Sequence, residues 1–194
     1  KEFLGSHSNA VTLLPCPGQA PKDIPPARMP DGSRPVRLIY AGTISGDYGR
    51  MVLALAKLLA DQPTKFEFQV YGPPPDWSQT DVEWAKAAGI YRGFIPHDQL
   101  RPVMAAADAF ITVMSFESQL KIMSRVSFTT KFLEYTQYGR PVLVWGPDYC
   151  QPSRVAAATD AGLPITSPHA SAVLGGLKQL LHPAEYTRLP NGAM

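Results

Sequence analysis

Short apolar runs alternate with helix-length segments along most of this chain, and that alternation most narrows its fold. Residues 36–40, 65–71, 89–94, 109–113, 139–146 and 161–166 read as strands. Residues 51–60, 81–88, 96–108, a short stretch beginning at Thr129 or Thr130, 153–160 and 171–181 read as helices, with Ser171 capping the last. Runs such as Val36-Arg-Leu-Ile-Tyr40 are rich in β-branched and aromatic residues, as strands inside a covered sheet are. Strands that alternate with helices build βαβ units, whose sheet is parallel and whose crossovers are right-handed. The expected class is α/β, a doubly wound parallel sheet of about six strands in three layers, α/β/α.

Residues 1–35 break this pattern. Val11-Thr-Leu-Leu14 is a short apolar run that reads as a strand, and prolines at 15, 17, 21, 25, 26, 30 and 35 follow it. So many prolines exclude a helix and make an extended linker. The expected division is a Pro-rich linker over 1–35, one domain over 36–182 and a tail over 183–194. A chain that opens on a linker is expected to continue a larger protein.

The 194 residues are 45% hydrophobic, enough for one core. Net charge is +2 with no basic run, which argues against a nucleic-acid partner. Cys16 and Cys150 stand far apart, and no Cys/His spacing suggests a metal, so none is expected. No apolar run approaches the length of a membrane span, and no signal-peptide core follows Lys1. A reduced, cytoplasmic setting is expected, with any membrane association coming from segments outside this chain. His7, His97, His169 and His182 fit no metal site or hydrolase triad, and only His97 adjoins a candidate binding loop.

Two stretches carry candidate chemistry. The first is Gly42-Thr-Ile-Ser-Gly-Asp-Tyr-Gly49, a glycine-rich turn between the first strand and its helix. Such a turn can present backbone N–H groups to a phosphate, although glycine turns after strands are common. The second is Ser127-Phe-Thr-Thr-Lys-Phe-Leu-Glu-Tyr-Thr-Gln-Tyr-Gly-Arg-Pro-Val-Leu-Val144. Thr129 or Thr130 suits a helix start, Gly139 suits the stop, and Pro141 opens a strand. Thr130, Glu134 and Tyr138 share one helix face, and Lys131 lies one turn from Glu134. The helix start favours a phosphate, and a carboxylate one turn on can reach a sugar hydroxyl. By spacing alone, a surface helix with a Lys–Glu pair explains these residues as well.

Thr129-Thr-Lys-Phe-Leu-Glu-Tyr-x-x-x-Gly-x-Pro-Val142 resembles the Pro-Ser/Thr-Lys-x-x-Glu-Tyr-x-x-x-Gly-x-Pro-Val signature of retaining, two-domain GT-B glycosyltransferases. The resemblance covers most of the chain. It implies the C-terminal, Rossmann-like domain that binds a nucleotide-diphosphate sugar as donor substrate, with no other cofactor. It implies ribose binding by Glu134. The diphosphate would be met by Gly42, Thr43, Ser45, Gly46, Arg50, Thr129, Thr130 and Lys131, and the base by Arg92, Gly93, Phe94 and Ile95. An N-terminal domain carrying the acceptor site would be the missing partner, so this chain alone would bind without turnover. The chain departs from the family at three places. Thr43 and Tyr48 stand where many members carry the Arg and Lys that grip the diphosphate, and Val126 stands where many carry a second Glu. The resemblance names neither sugar, base nor acceptor.

Two other readings fit the same residues. A nucleotide-sugar epimerase of similar fold would draw its catalytic groups from the other domain. A degenerate, non-catalytic relative would account for Thr43, Tyr48 and Val126. A response-regulator domain is excluded by the lack of an acidic cluster after the first strand. If the donor reading holds, the glycine turn, the 114–126 loop and the Thr129 helix start meet on one side of the domain.

Overall fold

The computed structural model describes residues 24–182, Ala184 and Tyr186. The run at 11–14, Cys16 and most of the 183–194 tail lie outside these residues. The strands are β1 (Val36–Ala41), β2 (Phe66–Tyr71), β3 (Tyr91–Gly93), β4 (Ala109–Val113), β5 (Val142–Trp145) and β6 (Leu163–Ile165). The helices are α1 (Gly46–Ala60), α2 (Gln79–Ala87), α3 (His97–Ala105), α4 (Lys121–Val126), α5 (Thr130–Thr136), α6 (Gln151–Thr159) and α7 (Ala170–Gln179). The six strands form one sheet in the order β3-β2-β1-β4-β5-β6, and every pairing is parallel. This is the expected doubly wound, Rossmann-like α/β fold.

Side chains sort to the two faces with a period of two. Leu38, Tyr40, Ile111, Val113, Leu143 and Trp145 pack with Val52, Leu55 and Leu59 of α1 and Val173 and Leu177 of α7. Ile39, Phe110, Val142 and Val144 pack on the other face with Met104 of α3, Phe132 and Tyr135 of α5, and Ala156 of α6. The central strands β4 and β5 thus bury both faces, which explains their unbroken apolar runs, while β2 and β3 toward one edge keep polar residues on one face. Chain order reverses between β1 and β4, and in open α/β sheets ligands bind outside the carboxyl ends of the strands at such a reversal.

The structure corrects several sequence expectations. Helix α1 begins at Gly46, not Met51, so Gly49 and Arg50 lie inside the helix, while Gly46, its first residue, keeps the positive φ of 61° that a turn glycine supplies. Gly49 is there for close approach: a β-carbon on it would stand 2.6 Å from the Ile44 carbonyl oxygen. The 114–126 segment is not all loop. It holds a 3-10 turn at Ser118–Leu120 and helix α4. His169, not Ser171, stands at the start of α7, and no side chain caps it. Thr129 occupies the N-cap of α5 in extended conformation, but its hydroxyl makes no capping bond. Gly139 does take the positive φ, 58°, expected just past that helix.

Candidate functional site

The carboxyl ends of β1, β2 and β3 open into a cleft of about 390 Å³. Ala41, Gly42 and Thr43 come from the end of β1. Tyr71, Gly72 and Pro73 come from the end of β2, and Phe94 and Ile95 follow β3. Helix α3 adds His97, Leu100 and Met104, and the first turns of α5 add Thr130, Lys131 and Glu134. Three segments expected to meet do so at this edge. Arg50 of α1 binds Glu117 of the 114–126 segment at 3.0 Å, the Ser115 hydroxyl donates to Asp47, and Lys131 of α5 lies across Gly42.

A local device holds α5 here. Beyond Ile39 the β1–β4 ladder ends, and Tyr135 takes its place. The Ala41 N–H donates to Tyr135 Oη at 2.8 Å, and the Tyr135 hydroxyl donates to the Ala41 carbonyl at 3.1 Å. The Tyr135 ring stacks on Phe110, with centroids 4.6 Å apart at 13°. Tyr135 is wholly buried, and burial pushes its hydroxyl far above the ordinary tyrosine range. This anchor fixes Lys131 and Glu134, on the same seven-residue helix, over the end of β1.

Lys131 shapes its surroundings. A β-carbon on Gly42 would stand 1.7 Å from Lys131 Cε, and Gly42 has φ 151°, so only glycine fits beneath this side chain. Lys131 Nζ lies 6.0 Å from the centroid of the Tyr40 ring. Burial holds the ammonium below its ordinary pKa, opposed by the charge of Glu134. No Lys131–Glu134 salt bridge forms among the described residues. The exposed carboxylate of Glu134 and the half-buried ammonium therefore face the cleft as separate groups.

The expected site residues divide. Gly42, Thr43, Thr130, Lys131, Glu134, Phe94 and Ile95 line the cleft together. Ser45, Gly46, Arg50, Thr129, Gly93 and Arg92 do not. Arg92 lines a separate hollow at the other end of β2, with Pro35, Phe66 and Glu67. Arg50 is held by Asp47 at 3.1 Å as well as by Glu117. The Gly46 N–H at the start of α1 donates to Asp76 Oδ2 at 2.7 Å. Tyr71, Pro73, Leu100 and Met104 were not foreseen, because only the fold brings them beside Gly42. His97 was noted for its place in sequence, and it lies in the wall.

No protein-family profile matches the chain, and no curated protein does. Solved structures do. The chain is similar to TarM at 10% identity and a TM-score of 0.59, over 88% of this chain and 33% of that one. It is similar to WaaG, a glycosyltransferase involved in lipopolysaccharide biosynthesis, at 18% identity and 0.55, over 82% and 41%. Sucrose-phosphate synthase from Thermosynechococcus elongatus is similar at 17% identity and 0.58, over 84% and 40%. A protein from Listeria monocytogenes described as a candidate UDP-N-acetylglucosamine 2-epimerase is similar at 12% identity and 0.51, over 83% and 40%. Likeness at these identities shows the fold alone, the Rossmann-like α/β arrangement that forms part of each of these proteins. The chain spans between a third and about two-fifths of the length of these neighbours. Among the described residues no helix is long and apolar enough to cross a membrane.

Proposed function

We propose that this cleft binds the nucleotide part of a nucleotide-diphosphate sugar, and that the domain is the donor-binding half of a glycosyltransferase. The observation that carries this reading is the pair Lys131 and Glu134, unpaired with each other and held over Gly42 at the carboxyl end of β1. An ammonium short of solvent gains most from an anion, and a diphosphate is the anion this class of substrate supplies. Glu134 accepts hydrogen bonds from ribose hydroxyls one turn further along the helix. The apolar wall of Pro73, Phe94, Ile95, Leu100 and Met104 is the place for the base. In sugar transfer, negative charge builds on the departing diphosphate, and Lys131 stabilises it electrostatically where little water competes. The acceptor and the remaining catalytic groups belong to a facing domain, for which the neighbours' greater length leaves room. A cytoplasmic location is part of the same proposal.

Calorimetric titration of this chain with UDP, GDP and ADP tests the reading. Binding of at least one is expected. A carboxylate bonded to hydroxyls makes charge-assisted hydrogen bonds of about 1.5–3 kcal/mol each, so Glu134→Gln should weaken that binding about tenfold or more. Tight binding unchanged by Glu134→Gln removes this residue from the site. Absence of binding by all three favours a second reading, a non-catalytic domain of the same fold. One observation already supports that alternative: Arg50, the cation nearest the glycine turn in sequence, is paired with Asp47 and Glu117.

A further inference from the structure

The turn after β1 leads from the cleft at Gly42 and Thr43 to the start of α1 at Gly46. A helix start beside a phosphate cleft is expected to offer its free N–H groups to the ligand. Here the first of those N–H groups, that of Gly46, is already engaged from within the chain. Ser45, the N-cap, contributes no side-chain bond. Instead Asp76, from the loop after β2, takes the Gly46 N–H at 2.7 Å. The next residue fastens the same loop, since Trp77 Nε1 donates to the Gly49 carbonyl at 2.8 Å and its ring meets Tyr91 edge-on at 6.1 Å. Asp47 in the first turn adds a second carboxylate, itself held by Ser115 and Arg50. The cations balance this local charge without reaching the cleft: Arg50 is spent on Asp47 and Glu117. Lys131 is left as the lysine or arginine lining the cleft.

We propose that Asp76 is a specificity-determining residue: its carboxylate occupies the anion position at the start of α1, so the cleft grips one phosphate, at Lys131, and gains little from a second. This rests on the reading of the cleft as a nucleotide site and refines which nucleotides it favours. A nucleotide would be held through its base, its ribose and a single phosphate. A second phosphate turned toward α1 would meet the Asp76 carboxylate already on the Gly46 N–H and the repulsion of Asp76 and Asp47.

The ratio of dissociation constants for a nucleoside monophosphate and its diphosphate tests this, because a general loss of stability would move both alike. The pairs UMP/UDP, GMP/GDP and AMP/ADP are titrated into the 194-residue chain, into Asp76→Asn and into Asp76→Ala. The Asn variant keeps an acceptor for the Gly46 N–H and removes the charge, so it guards against a helix start that frays in the Ala variant. The expected result is a diphosphate preference below about threefold in the parent chain, rising by roughly twofold to fivefold in both variants, the size of a favourable interaction at an exposed helix terminus. A parent chain that prefers the diphosphate tenfold or more overturns the proposal. So does a ratio that stays the same in both variants while the monophosphate still binds, and that outcome leaves the nucleotide reading standing. Failure of all six nucleotides on all three proteins overturns the nucleotide reading and this inference with it.

Discussion

At Lys131, burial and ligand chemistry oppose each other. Desolvation lowers its pKa from the ordinary 10.5, and Glu134 offsets part of that shift. The unfolded chain therefore holds this proton more tightly than the folded one. Stability from this group rises with pH across the window between the lowered folded value and 10.5, and below that window the penalty of burying the charge is present in full. Lys131→Met removes the penalty and keeps the stem that lies over Gly42. It should leave stability in urea unchanged or slightly raised at neutral pH, while weakening nucleoside-diphosphate binding about tenfold. A structural lysine would show the reverse, lower stability and unaltered binding. A bound diphosphate also restores the proton, so binding within the window should take up protons. Calorimetry in two buffers of different ionisation enthalpy reads that uptake.

Helix α5 is the element that turns the fold into a site. Its seven residues are too few to hold a helix alone, and tertiary contacts hold it instead. Phe132 and Tyr135 point into the core, and Tyr135 closes the end of β1 where β4 diverges. Tyr135→Phe keeps the stack on Phe110 but leaves the Ala41 N–H and carbonyl without this partner. A lost buried partner costs about 1–3 kcal/mol. Chemical denaturation should show that loss, and hydrogen exchange should show faster opening at Ala41 than at Leu38 in the middle of the strand. How much of this was legible in sequence follows from the physics. The strands were, because burial on both faces leaves unbroken apolar runs in β4 and β5 and burial on one face leaves the alternation of β2. Gly139 and the Lys131–Glu134 spacing were, because they are local along one helix. The start of α1 was not, since Gly46 and Gly49 look like turn residues until Ile44 is seen pressing on Gly49. Arg50 looked available because its neighbour Asp47 pairs with it only once both lie in α1, and Glu117 is brought to it by the fold. Tyr135 stood in the motif with nothing local to say that its hydroxyl would finish a strand.

Across the whole molecule, the two ends of the sheet are built for different ends. The carboxyl end holds the cleft. At the opposite end, Asp108 at the start of β4 is 2% exposed and gathers what surrounds it. Arg34 binds its carboxylate through two nitrogens at 2.8 and 3.0 Å, and the Arg37 N–H donates to it at 2.8 Å. Arg28 approaches within 3.7 Å, and the Tyr186 hydroxyl donates to the Asp108 carbonyl at 2.8 Å. Nearby, buried Arg140 donates to the Pro25 carbonyl at 2.6 Å and the Ala107 carbonyl at 3.0 Å. Residues 24–34 and Tyr186 are thus pinned to the base of the sheet, away from the cleft residues. Removing one partner of a buried charge pair costs about 3–5 kcal/mol, and the partial exposure of Arg34 lowers the expectation to about 2–4 kcal/mol. Asp108→Ala should therefore lower stability by that amount in chemical denaturation and make the backbone near Arg28 and Arg34 more open to protease. It should leave the affinity for whichever of UDP, GDP and ADP binds within about twofold in the fraction that remains folded, because distant sites act nearly independently. A large loss of affinity in folded Asp108→Ala protein would show instead that the pinned base and the cleft are one coupled unit.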